Sequence, residues 1–298
     1  MRILVTNDDG IPSPGLHALA AAVVAAGHEA VVAAPSSDWS GASACLGPLE
    51  DPKRVSVERV ALPVPDGSTM TGFSVGAPPA LISMLADLGG FGEPPEMVVA
   101  GINRGPNTGR STLFSGTIGA VLTGERFGWS GMAVSLDVAV SDGSDDGSDD
   151  GSDDGPEDGG SAREGPREPH WGTAADLVRT VLPWLVAAPQ RTILNLNVPD
   201  APLSDVRGLR SAGLAPVGGV RTVITGIDDH GLDLDLIAND RPVPEGTDSA
   251  LLTIRGEGGT DPDTEADTDG QGDSGHADTH SQTQANRNAE RQLLLQQG

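Results

Sequence analysis

The apolar run Ile3–Val5 ends abruptly at Asn7-Asp8-Asp9-Gly10, and a helix pattern and a second apolar run follow it. Pro14 is placed to open the helix, Leu16, Leu19, Ala20, Val23 and Val24 give it an apolar face, and Gly27 suits its left-handed end. Ala30–Ala34, stopped by Pro35, reads as the second strand. Two strands joined through a helix lie parallel, with a right-handed crossover. The chain is therefore expected to build an α/β fold: a Rossmann-like, doubly wound, mostly parallel sheet.

Later segments extend the pattern. A strand is expected at Val55–Val60, a helix from Pro78 or Pro79 to about Leu88, and a strand at Met97–Ile102. Ser115-Gly116-Thr117 opens a helix with Ile118, Val121 and Leu122 inward, and Ala133–Leu136 is a further strand. Thr173–Ala187 reads as a helix bent at Pro183, followed by a strand at Thr192–Val198. Val220–Thr225 and Leu232–Ile237 form a strand pair, and Leu251–Ile254 is the last apolar element, giving a smaller C-terminal β-rich extension.

Charge divides the chain. Gly-Ser-Asp-Asp occurs three times from Gly143, and residues 142–168 hold 11 acids against two arginines; residues 257–298 hold nine against two. Together they account for most of the net charge of −25. Ordering a residue costs about 1–2 kcal/mol of backbone entropy, and these segments have almost nothing apolar to bury in return. The expected organisation is a Rossmann-like core over 1–140 and a disordered acidic loop over 141–169. The rest of the core and the β-rich extension follow over 170–256, then a disordered acidic tail over 257–298, in which 289–297 could form one short helix. The aspartate repeats lack both the EF-hand and the RTX calcium spacing.

Lys53 is the one lysine and no basic cluster exists, which argues against a duplex nucleic-acid partner. The longest wholly apolar run, Ala18–Ala26, is too short for a bilayer, and Cys45 has no disulfide partner. The N-terminus offers no secretory h-region. These features point to a soluble cytoplasmic protein without a membrane partner.

Chemistry concentrates at the strand ends. Asn7-Asp8-Asp9 follows the first strand, Ser40-Gly41 lies in the loop after the second, and Asn103–Asn107 follows the strand near 100. In a doubly wound sheet ligands bind outside the carboxyl ends of the strands, so the three loops can share one crevice. Two carboxylates about 4 Å apart repel by roughly 4 kcal/mol at an effective dielectric near 20, so convergence of Asp8 and Asp9 calls for a cation, a proton or full hydration. Oxygen donors without histidine or cysteine suit a hard ion such as magnesium or manganese. An Asp-Asp-Gly turn with a helix cap is the plainer alternative. Ser115, Gly116 and Thr117 at a helix N-terminus form an anion site suited to phosphate, or else an ordinary cap. Trp39 and Phe114 can stack on a base or pack within loops. His276 and His280 have a ligand-like interval but sit in the acidic tail, and His17 and His28 read as helix-surface residues. No P-loop, dinucleotide fingerprint or nucleophile elbow is present.

Five segments resemble the SurE survival-protein family: Arg2–Gly10, Ala34-Pro35 with Trp39-Ser-Gly-Ala-Ser43, Gly101-Ile-Asn-Arg-Gly-Pro-Asn107, Phe114-Ser-Gly-Thr117 and Asn195-Leu-Asn-Val-Pro-Asp200. The resemblance implies a metal-dependent 5′/3′-nucleotidase, hydrolysing nucleoside monophosphates to nucleoside and phosphate. It implies that Asp8, Asp9, Ser40 and Asn103 hold one divalent ion per subunit, magnesium or manganese. Asp8, Asp9 and Asn107 would then be catalytic, and Asn107, Ser115, Gly116 and Thr117 would bind the substrate phosphate. A homodimer or homotetramer is also implied. The chain departs from the family pattern at Ala77-Pro-Pro-Ala-Leu-Ile82, at Phe114, at Thr123, and after Gly246-Thr-Asp248, where the family's closing strand is missing. The alternative is a non-catalytic nucleotide- or metal-binding paralogue. A third reading is a glycosyltransferase-like protein that uses Asp-Asp for a metal-diphosphate.

Overall fold

The computed structural model describes residues 1–138 (52, 64–66 and 68 apart), 167–217, 220–228, 230–238, 244–249 and 291–297. Leu251–Ile254, the aspartate repeats, His276 and His280 lie outside the described residues.

The opening unit forms as expected: β1 (Arg2–Thr6), α1 (Pro14–Ala25) and β2 (Glu29–Pro35). β1 pairs in parallel with β2 on one side and with β5 (Met97–Arg104) on the other, in the registers Val5↔Val32 and Thr6↔Ala100. The strand order reverses direction at β1. β6 (Ser130–Asp137) and β7 (Ile193–Pro199) continue beyond β5, while β4 (Thr69–Val75) lies outside β2. A reversal of this kind opens a crevice at the carboxyl ends of the strands beside it.

Alternation along the strands explains the two helix layers. Ile3 and Val5 point to the face covered by α1 and by α4 (Trp171–Ala187); Leu4 points to the face covered by α2 (Pro79–Asp87) and α3 (Gly116–Arg126). In β5, Met97 and Val99 join the first core while Val98 and Ala100 join the second. Strands buried on both faces read as continuous apolar runs, which is why β1, β2 and β5 are legible in sequence. Val24 and Leu122, expected to point inward, are 48% and 36% exposed, because each lies at the edge of its helix's apolar stripe. Pro183 lies inside α4, which remains a single helical span.

Three strands escape the sequence reading. β4 completes a hairpin with β3 (Val57–Pro63), in a stretch taken as one strand and turns. β8 (Val206–Ala212) is largely exposed, so its apolar pattern is weak. β11 (Arg291–Gln297) corrects the expectation of a short helix in the tail: it pairs in parallel with β7 and antiparallel with β8. An isolated segment of this length is a marginal helix, and tertiary pairing decides its state. The nine-stranded order is β3-β4-β2-β1-β5-β6-β7-β11-β8, parallel except at its two edges. β9 (Val220–Ile227) and β10 (Leu232–Ala238) form the expected separate antiparallel pair. No helix among the described residues is long and apolar enough to cross a membrane.

Candidate active site

The turn after β1 divides its labour. Asn7 donates through Nδ2 to the Gly10 carbonyl at 3.0 Å and accepts the Gly10 N–H at 3.2 Å, closing the turn on itself. Gly10 has a φ of +95°, the left-handed region that favours glycine. The two carboxylates between them are left for chemistry.

Asp8 is 3% exposed. Its Oδ2 accepts the Gly116 N–H at 3.0 Å and its Oδ1 accepts the Thr117 hydroxyl. The first N–H of α3 and the positive end of that helix are therefore directed at Asp8. Burial pushes the Asp8 carboxyl above its ordinary range, while the hydrogen bonds from Thr117 and Gly116 oppose the shift. Asp9 is pushed up to about 7, by burial first and then by the charges of Asp8 and Asp38, with Arg104 opposing them. Asp9 Oδ2 is buried without a hydrogen-bond partner. A buried carboxylate oxygen left in this state calls for a proton or a cation.

The other two loops close on this centre. The Trp39 N–H donates to the Asp8 carbonyl at 2.8 Å, fixing the loop after β2 against the end of β1. Ser40 follows at once, exposed, with its N–H and hydroxyl both donated to Asp38 Oδ1 at 2.7 Å. Asn103 stands three residues beyond Ala100, the β5 partner of Thr6. Its Nδ2 donates to the Gly105 carbonyl at 2.8 Å, leaving Oδ1 as an uncommitted donor atom. Two carboxylates, a hydroxyl and a carboxamide are a hard, all-oxygen set, and the orphaned Asp9 oxygen fits a divalent cation. No group of three or more His, Cys, Asp or Glu side chains suited to a metal occurs among the described residues, so the neutral donors would have to complete such a site.

Asn107, expected to be catalytic and to bind the substrate phosphate, is tied to the strands beside its loop. It is 8% exposed, its Nδ2 donates to Ser135 Oγ at 2.9 Å, and its N–H donates to Asn197 Oδ1 at 2.8 Å. Its carbonyl accepts from Nδ2 of Asn195 at 2.8 Å and of Asn197 at 3.1 Å. Asn107 thus anchors the 103–109 loop to β6 and β7. Ser115 caps α3, its Oγ accepting the Ile118 N–H at 3.2 Å, and its own O–H is the uncommitted donor at this helix end. Gly116 and Thr117 meet Asp8.

Sequence reasoning missed Ser135 and Asp248, and quoted Asn195 and Asn197 without a role. Asp248, fully buried, accepts the Gly109 N–H through Oδ2 at 2.7 Å and the Ala215 and Ser249 N–H groups through Oδ1 at 2.8 Å. A lone aspartate in a Gly-Thr-Asp segment carries no sequence signal of such a clasp. The asparagines did carry one: polar residues inside an otherwise buried strand demand partners.

A mostly parallel α/β sheet with oxygen donors beside its switch point defines a protein of the Rossmann-like class. The family model for Survival protein SurE matches residues 3–217, and the chain belongs to the SurE family. It is 34% identical over 212 residues to the 5′-nucleotidase SurE of Xylella fastidiosa strain M12, covering 70% of this chain and 68% of the relative. The 5′/3′-nucleotidase SurE of Edwardsiella ictaluri is 33% identical over 237 residues, covering 78% and 77%. The crystal structure of the SurE protein from Aquifex aeolicus shares the fold, with a TM-score of 0.59 at 21% identity over 85% of this chain and 90% of that one.

Proposed function

We propose that the chain is a 5′/3′-nucleotidase, a phosphomonoesterase releasing phosphate from nucleoside monophosphates, with one divalent ion per subunit, magnesium or manganese. The observation that carries the reading is the buried, unpartnered Asp9 Oδ2 beside an Asp8 already oriented by α3. Asp8, Asp9, Ser40 and Asn103 would hold the ion. When bound, such an ion supplies Lewis-acid polarisation of a phosphoryl group and a more acidic water.

The chain's own residues do the remainder. Asp9 is also the candidate general base for the proton that leaves the attacking water. Ser115 offers its free O–H to a phosphate oxygen at the N-terminus of α3, with Gly116 and Thr117 fixing the carboxylate behind it. Asn107 keeps the third loop in place. Beside Ser115 a cavity of about 200 Å³, walled by Leu113, Ile118, Leu122, Ile193 and Leu214, offers apolar surface to the nucleoside. Phe114, 66% exposed, is free of the core and available to stack on a base.

The homo-oligomer belongs to the same reading. Leu232 pairs with Ile227 and Leu234 with Ile224 across β9 and β10, and these four are between 55% and 74% exposed. A two-stranded ribbon is marginal by itself, and an apolar face of this kind is suited to a second copy.

The test is steady-state phosphate release from a panel of nucleoside 5′- and 3′-monophosphates with added manganese or magnesium. Turnover that a chelator abolishes is expected. Folded protein that binds nucleotide without releasing phosphate would favour the non-catalytic alternative.

A further inference from the structure

We propose that Asp38 is a positioning residue of the cation site, accepting the Ser40 hydroxyl hydrogen bond so that Ser40 Oγ turns a lone pair toward the ion. The inference rests on the reading of Ser40 as a ligand. A neutral hydroxyl can bind a cation only through a lone pair, so its O–H must point elsewhere. Here it points to Asp38 Oδ1 at 2.7 Å, and the same oxygen takes the Ser40 N–H at 2.7 Å. One carboxylate oxygen thus fixes both the backbone and the side chain of the proposed ligand. Trp39, between the two residues, is tied on one side by its N–H to the Asp8 carbonyl at 2.8 Å and on the other by the Ala42 N–H to its own carbonyl at 3.0 Å. The loop is therefore held by backbone bonds, and Asp38 is exposed, with Ser40 as its one hydrogen-bonding partner among the described residues. Its carboxylate is not required by the core. What it determines is the direction of the Ser40 hydroxyl, and a carboxylate acceptor also makes that oxygen a more basic donor.

The experiment is titration calorimetry of manganese into the full chain, for wild type and for D38A, D38N, S40A and D38A/S40A, with circular dichroism as the folding control. D38A is expected to weaken manganese binding about 10–100-fold, the usual effect of losing an outer-shell partner. D38N, which keeps an acceptor oxygen, should recover part of that loss and covers the case in which D38A folds poorly. D38A should cost less in an S40A background than in wild type, because only the direct effect of the Asp38 charge on Asp9 remains there. An unchanged affinity in D38A, or losses in D38A and S40A that simply add, overturns the proposal while leaving the cation site standing. Wild type that binds no manganese overturns both.

Discussion

The Gly116 N–H donates to Asp8 Oδ2 at 3.0 Å, joining the first residue of α3 to the turn after β1 across 108 positions of sequence. A Cβ added at Gly116 would lie 2.8 Å from both Asp8 Cβ and Asp8 Oδ2. Gly116→Ala therefore has to push the carboxylate or the helix aside. Overpacking of this kind costs about 1–3 kcal/mol. Displacing a reacting group by even 1 Å costs on the order of 100-fold in rate. G116A is expected to show both effects, in thermal melts and in phosphate release.

Asp8→Asn and Asp9→Asn test the carboxylates themselves. Each is expected to abolish metal-dependent phosphate release while leaving the far-ultraviolet circular dichroism of the folded chain intact. Wild-type rates in either variant would reduce the pair to a turn.

Asp9 also predicts a pH dependence. Its carboxyl is raised in the folded protein from an ordinary 3.8 to about 7, so between those values the folded state holds a proton that the unfolded chain has released. Stability from this group is fully present below about pH 4 and is lost as pH rises through about 7. Without divalent ions, the melting temperature should carry a component that falls as pH is raised from about 5 to about 8, and D9N should remove it. Manganese, competing with that proton, should stabilise the protein more at the higher pH. An identical pH slope in D9N and wild type would contradict the assignment.

Asp248 links the C-terminal segment to the loop that carries Gly109. Asp248→Ala leaves the Gly109, Ala215 and Ser249 N–H groups without their carboxylate. Each buried donor left unsatisfied costs about 1–3 kcal/mol. Thermal denaturation should show a loss of at least about 2 kcal/mol, and activity should fall with it because Gly109 closes the loop that Asn107 anchors.

The exposed β9–β10 face predicts an assembly. Ile224→Lys with Leu234→Lys places charge on both members of one cross-strand pair and should reduce the mass measured by light scattering, leaving the monomer folded. An unchanged mass would move the interface elsewhere.

Local sequence determined the main frame. Strands buried on both faces are continuous apolar runs, so β1, β2 and β5 announce themselves, and Pro14 and Gly27 mark the ends of α1. The order of β1, α1 and β2 settles their parallel pairing, and the polar residues at three strand ends place the candidate site on one edge before any coordinate is known. The three strand-end loops that carry Asp8 and Asp9, Ser40, and Asn103 were legible on those grounds.

Tertiary structure decided what those residues touch. Hydrogen bonds between positions about a hundred residues apart leave no periodic trace, so sequence showed neither that Gly116 and Thr117 grip Asp8 nor that Asn107 is turned inward to Ser135. The same holds for the Asp248 clasp and for β11, whose state is set by the strands beside it and not by its own propensity. Sequence supplies the oxygen donors; burial makes ionisation of one of them, Asp9, costly, and burial is a property of the folded chain alone.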